Sequence, residues 1–114
     1  VRINDFVKDA HEMAKEKGWW SPPKTPAEVH MLIVTEVAEA TEAVRTDGVV
    51  WSGFKEPMGY YGMAKPEGEA VELVDAVIRI ADYFGYMGWD MEKIIEAKMA
   101  YNKTRPHRHG DKKL

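Results

Sequence analysis

Ala70-Val71-Glu72-Leu73-Val74-Asp75-Ala76-Val77-Ile78-Arg79-Ile80-Ala81-Asp82-Tyr83-Phe84 is the stretch whose reading decides the fold. It is apolar nearly all round, and its polar residues Glu72, Asp75, Arg79 and Asp82 recur at three, four and three, with Tyr86 next. On an α-helix that spacing draws one narrow polar seam along a buried rod. The pattern predicts a helix from near Glu67 to about Tyr86. A core helix keeps such a seam only when something polar faces it.

The facing partner is sought upstream. Pro26 to Arg45 reads as a second long helix, opened by Thr25 as N-cap, Pro26 at the first helical position and Glu28 at the capping-box position. Its apolar stripe is Val29, Leu32, Ile33, Val37, Ala40 and Val44. At 100° per residue Glu36 falls in the middle of that stripe, Glu39 on its edge and Glu42 on the solvent side. Glu36-Val37-Ala38-Glu39 and Glu72-Leu73-Val74-Asp75 thus each aim two carboxylates one way. If the helices face each other, four carboxylates meet, and like charges in a partly dry site are hard to sustain without a cation. The economical reading is a magnesium site, and magnesium on carboxylates usually serves phosphate chemistry.

Other segments fit around this pair. Ile3 to Lys17 carries Ile3, Phe6, Val7, Ala10, Met13 and Ala14 at helical spacing and ends at Gly18. Trp19-Trp20-Ser21-Pro22-Pro23-Lys24 is a connector that two prolines keep out of a helix. Residues 46–65 read as a long loop with Gly48, Gly53, Gly59 and Gly62 and the aromatics Trp51, Phe54, Tyr60 and Tyr61. Gly88 breaks the chain, and Asp90 caps a fourth helix to about Lys103 with Met91, Ile94, Ile95 and Met99 on its apolar side. Residues 104–114 form a basic, irregular tail with His107 and His109. Asp82 and Arg79 are explained by a salt bridge within their own helix, and His11 and His30 stand alone without a partner pattern.

Composition narrows the function. The chain has 114 residues, one domain's worth, with a net charge of -3 and 0 cysteines. No broad basic surface argues for a nucleic-acid polymer as partner. The lack of cysteine removes disulfide scaffolds, zinc–thiolate sites and cysteine nucleophiles. The absence of cysteine fits a cytoplasmic protein, and no membrane partner is expected because no apolar run reaches spanning length. A di-iron or di-manganese carboxylate bundle needs Glu-x-x-His on two helices, and the chain has none. Four helices with one so apolar make a thin monomer, so a second subunit is expected against the third helix.

Leu32-Ile33-Val34-Thr35-Glu36-Val37-Ala38-Glu39-Ala40 followed by Glu72-Leu73-Val74-Asp75-Ala76-Val77, with Lys98-x-x-x-Asn102 on the next helix, resembles the ExxE…ExxD signature of MazG-like proteins of the all-α NTP pyrophosphatase superfamily. Thr35 and Val71 stand where many members carry a further Glu, and Val74 where Gly is common. The resemblance implies a four-helix, bundle-like all-α fold that forms homodimers or homotetramers. It implies Mg²⁺-dependent hydrolysis of nucleoside triphosphates to monophosphate and pyrophosphate, with Mn²⁺ as a possible substitute, in nucleotide-pool house-cleaning. By the same resemblance Glu36, Glu39, Glu72 and Asp75 are the metal ligands and catalytic acids, and Lys98 and Asn102 contact the nucleotide. Arg105 would steady phosphates, and Trp19 or Trp20 would stack on the base. The competing expectation is a non-enzymatic oligomerisation or binding module with a carboxylate-lined groove, indifferent to Mg²⁺.

Overall fold

The computed structural model of the chain describes residues 2–47, 53–58 and 64–113. The order of elements is α1 (Ile3–Glu16), α2 (Pro26–Asp47), β1 (Gly53–Met58), β2 (Ala64–Glu67), α3 (Glu69–Met87), α4 (Met91–Thr104) and α5 (Arg108–Asp111). The architecture is all-α, with one short hairpin inserted between the second and third helices.

The helix ends follow local chemistry. Thr25 and Glu28 form a reciprocal capping box: Glu28 N–H donates to Thr25 Oγ1 at 3.2 Å, and Thr25 N–H donates to Glu28 Oε1 at 3.1 Å. The Thr25 backbone N–H, and then its hydroxyl, holds the Glu28 carboxyl below its ordinary pKa. Asp90 caps α4 by accepting from Lys93 N–H at 3.0 Å. Gly88 ends α3 at φ +72, a left-handed position that favours glycine.

Helix α3 is the centre of the structure, packed against α1 on one side and α2 on another. Its small residues Ala76 and Ala81 are buried, as are Val7 and Ala14 of α1 and Val29 and Ala40 of α2. At Gly85 a Cβ atom would lie 2.5 Å from His11 Cβ, so only glycine lets α1 approach α3 this closely. Tyr83 closes the core, edge-on to Trp89 and to His30.

Helix α4 is set differently. It rests on α1 through Asn4, whose N–H donates to Glu92 Oε2 at 2.7 Å, whose amide donates to Asp90 Oδ1 at 3.0 Å, and whose Oδ1 accepts from Glu92 N–H at 3.2 Å. No residue of α4 is buried. Among the described residues α1, α2 and α3 pack together, and α4 contacts α1 about Asn4.

Much apolar surface stays open as a result. Leu73, Val74 and Val77 of α3, Val34, Val37 and Val44 of α2, and Ile94, Ile95 and Met99 of α4 are all exposed. The stripe expected on α2 is split: Val29 and Ala40 are buried, while Val37 and Val44 are exposed. Among the described residues no helix is long and apolar enough to cross a membrane.

Two expected irregular segments carry structure. Within the connector, β1 and β2 pair antiparallel, with Gly53 opposite Glu67 and Met58 opposite Ala64 and a bulge between Lys55 and Met58. Each strand contains a proline, tolerated because both strands of a two-stranded sheet are edges. The connector residues Gly48, Trp51, Gly59, Tyr60, Tyr61 and Gly62 lie outside the described residues. In the basic tail, Arg108–Asp111 forms a single helical turn.

Candidate functional site

The acids come together where α2 meets α3. Glu36, Glu39 and Glu72 each place a carboxylate oxygen within 4.8 Å of the others. Glu36 is only 8% exposed, as its place in the apolar stripe predicts, whereas Glu39 and Glu42 are exposed. Asp75 lies outside this trio but acts on Glu72 electrostatically and lines the adjoining cavity with Glu36.

Two devices hold the carboxylates at close range. Arg79 Nε donates to Glu36 Oε1 at 2.7 Å, so the arginine crosses to the neighbouring helix. The salt bridge expected between Arg79 and Asp82 gives way to this contact, and Glu36, the more buried charge, gains more from a partner. Glu72, in turn, retains its proton to about pH 7. Burial is the main cause, followed by a hydrogen bond to Glu39 and repulsion from Asp75, Glu39 and Glu36.

A cavity of about 290 Å³ opens beside the acids, between α1, α2, α3 and the connector. Its apolar wall is Met13 and Ala14 of α1, Val29 and Leu32 of α2 and Ile78 of α3. Its polar groups are Lys17, Lys24, Glu36, Asp75, Arg79 and Asp82, with Trp19 and Trp20 at the connector. Glu36 belongs to both the acid trio and the cavity wall.

The two tryptophans have different status. Trp20 is stacked on Tyr86, with centroids 3.8 Å apart and planes at 4°, and Lys24 Nζ lies 5.2 Å from its centroid. Its Nε1–H donates to Asp82 Oδ1 at 2.9 Å. It is thus a fixed wall, with one ring face already covered. Trp19 is 56% exposed, with Arg79 5.8 Å from its ring, and presents the freer aromatic surface. Lys24 Nζ also donates to the Trp19 carbonyl oxygen.

His11 is not solitary. Its Nδ1 meets Asp82 Oδ1 at 2.8 Å, the same oxygen that accepts from Trp20. Asp82 therefore ties α1, the connector and α3 together, rather than pairing with Arg79 as expected from i,i+3 spacing. Lys17 and Lys24 are cavity residues the sequence reading did not single out, and Asp82 was read there only as a salt-bridge partner of Arg79. The only signal for them was their position, flanking the Trp-Trp connector or continuing the α3 seam.

The residues expected from the fourth helix are elsewhere. Lys98 and Arg105 both lie over Tyr101, at 5.3 Å and 5.8 Å from its centroid. Asn102 is half-buried, and its Oδ1 has no hydrogen-bond partner among the described residues. None of the three lines the cavity. Within one chain α4 sits against α1, which keeps Lys98, Asn102 and Arg105 away from the acids. His107 is exposed in the tail, away from the acid trio.

The donor set fits a hard divalent cation. Three carboxylates converge, and no sulfur or imidazole donor takes part. The chain matches no protein-family model, no curated protein and no solved structure.

Proposed function

We propose that the chain is a Mg²⁺-dependent nucleoside triphosphate pyrophosphohydrolase of the MazG-like kind, converting (d)NTP and water to (d)NMP and pyrophosphate. The observation that carries this reading is the convergence of Glu36, Glu39 and Glu72 within 4.8 Å beside a tryptophan-walled cavity. A carboxylate trio of this kind suits a polyphosphate only through a cation, and the aromatic wall suits a base.

Glu36, Glu39 and Glu72 would hold the metal, with Asp75 next to them as the fourth acid. Bound Mg²⁺, or Mn²⁺ in its place, supplies charge compensation for the phosphates and a more acidic water. The remaining work falls to the chain's own groups. Arg79 and Lys17 stand where they can neutralise phosphate oxygens along the cavity. Trp19 offers a face for the base, and the apolar wall excludes water from the sugar side. Glu72 must lose its proton before it serves as a ligand, so metal binding should strengthen as pH rises through the neutral range.

A homodimer or homotetramer belongs to the same reading. The exposed apolar residues of α2, α3 and α4 are those a second copy would cover, and the same contact would offer Lys98, Asn102 and Arg105 to a neighbouring site. A nucleotide-pool role in the cytoplasm completes the proposal.

The test is pyrophosphate release from a panel of canonical and modified NTPs and dNTPs, with Mg²⁺ and with EDTA, for wild type and Glu39→Gln. Metal-dependent release that collapses in the variant is the expected result. A folded protein that releases none from any nucleotide belongs to the non-enzymatic assembly class, which the open apolar surface would then explain.

A further inference from the structure

We infer that Asp82 reads the edge of the base, so that the cavity favours nucleotides whose base carries a single outward amino group, cytosine and adenine, over thymine and uracil. The inference rests on the proposed function, since it takes the cavity to be the nucleotide site.

Position is the first argument. Asp82 lies two helical turns beyond Asp75 on the same seam of α3, about 10 Å along the axis at 1.5 Å per residue. With phosphates at the acids, that distance leaves room for a sugar and brings the base to Asp82. Both residues line the one cavity.

Hydrogen-bond accounting is the second. An ionised carboxylate only accepts. Asp82 Oδ1 is spent twice, on Trp20 Nε1–H at 2.9 Å and on His11 Nδ1 at 2.8 Å. Its Oδ2 takes no hydrogen bond from the described residues, although the side chain is only 18% exposed. The two contacts fix the carboxylate plane, so the remaining oxygen is a preset acceptor rather than a swinging one. A half-buried acceptor left over in a ligand cavity matches a ligand N–H.

The third argument is the lack of competitors. Lys24 is engaged by the Trp19 carbonyl and the Trp20 ring, and Arg79 by Glu36 and Trp19. Of the other cavity residues, Ala10, Met13 and Ala14 are apolar, and Lys17 is the cation already assigned to the phosphates. The amino groups of cytosine and adenine donate to one oxygen, as carboxylates accept from cytosine N4 in base recognition. At the same place thymine and uracil present a carbonyl oxygen, which a carboxylate repels. Guanine's paired N–H groups call for two free oxygens, and one of these is already used.

The experiment compares kcat/KM and Kd for dCTP, dATP, dTTP and dUTP between wild type and Asp82→Asn. Asparagine keeps an acceptor for Trp20 and His11 but turns the other position into a donor. The wild type should prefer dCTP and dATP by about 10-fold or more, and D82N should erase or invert that order. A 2-pyrimidinone nucleotide, which lacks the amino group, should lose the preference on the wild-type enzyme, a check that needs no variant to fold. Equal use of all four nucleotides by the wild type, or a uniform loss across all four in D82N, would reduce Asp82 to a positioning residue for Trp20 and overturn the inference while leaving pyrophosphohydrolysis intact. Neither binding nor turnover of any nucleotide would sink both.

Discussion

The junction of α2 and α3 and the outer faces of the same helices invert each other. At the junction, where helices ordinarily bury apolar side chains, Glu36 is sequestered and Glu39 and Glu72 lie close to it. On the outside, where helices ordinarily show charge, Val34, Val37, Leu73, Val74 and Val77 face solvent. Each inversion costs free energy in an isolated chain, through desolvated charge in one case and hydrated apolar surface in the other. The junction has partly answered its own problem, with Arg79 on Glu36 and a retained proton on Glu72. The outer face has no such internal answer among the described residues. Under the proposed function the two regions would be answered by different partners, a small cation inside and a second copy of the chain outside.

The comparison breaks most visibly at the acids. Glu39→Gln changes an exposed helix position and, under the proposed function, should reduce pyrophosphate release on the order of 100-fold or more, while circular dichroism shows the helices unchanged. A variant that retains full Mg²⁺-dependent turnover would remove Glu39 from the metal set.

On the outer face, Val74→Glu should convert an oligomer to monomer in sedimentation or light scattering. Because Val74 is 52% exposed within the chain, helix formation itself should survive. Unchanged mass would move the interface to another face.

Removing the internal answer sharpens the contrast. Arg79→Ala leaves Glu36 buried without its cation and should destabilise the metal-free protein by about 2 kcal/mol, less than a fully dry pair because Arg79 reaches solvent. Added Mg²⁺ should restore more of that loss than it adds to wild type. Chemical denaturation with and without the ion reads both effects.

Glu72 gives the junction a pH signature that the outer face lacks. Its pKa is raised in the folded state, to about 7 from 4.5, so the folded chain holds a proton that the unfolded chain releases. Stability without metal should therefore fall as pH rises from about 4.5 to about 7. Tm measured in EDTA should follow that slope, and Glu72→Gln should flatten it. The smallest effect is remote from both regions: Thr25→Ala breaks the capping box of α2 and should cost about 1 kcal/mol.

How much of this could be read from sequence depends on the range of each interaction. Glu36 was legible as a buried acid because helical periodicity is local and its neighbours Leu32, Ile33 and Ala40 mark the stripe. The capping box at Thr25, the cap at Asp90 and the stops at Gly18 and Gly88 were legible for the same reason. Arg79 was not. Its i,i+3 and i,i+4 neighbours are acids, yet it pairs with a residue 43 positions away, a choice set by how α2 and α3 are rotated against each other. The His11–Asp82 pair, 71 positions apart, lies beyond any spacing rule. The hairpin hid among glycines and prolines, with no alternating pattern to announce it. The placement of α4 escaped because its amphipathic side states that a partner is needed without saying which.

The proton on Glu72 has a thermodynamic consequence for ligand binding. Carboxylates coordinate metal in their deprotonated form, so under the proposed function Mg²⁺ uptake near pH 7 ejects a proton into the buffer. The observed heat of binding then includes the ionisation enthalpy of whatever buffer receives it. Titrations in two buffers of unlike ionisation enthalpy would give different apparent enthalpies for one affinity, and their slope would count the protons released by the acids.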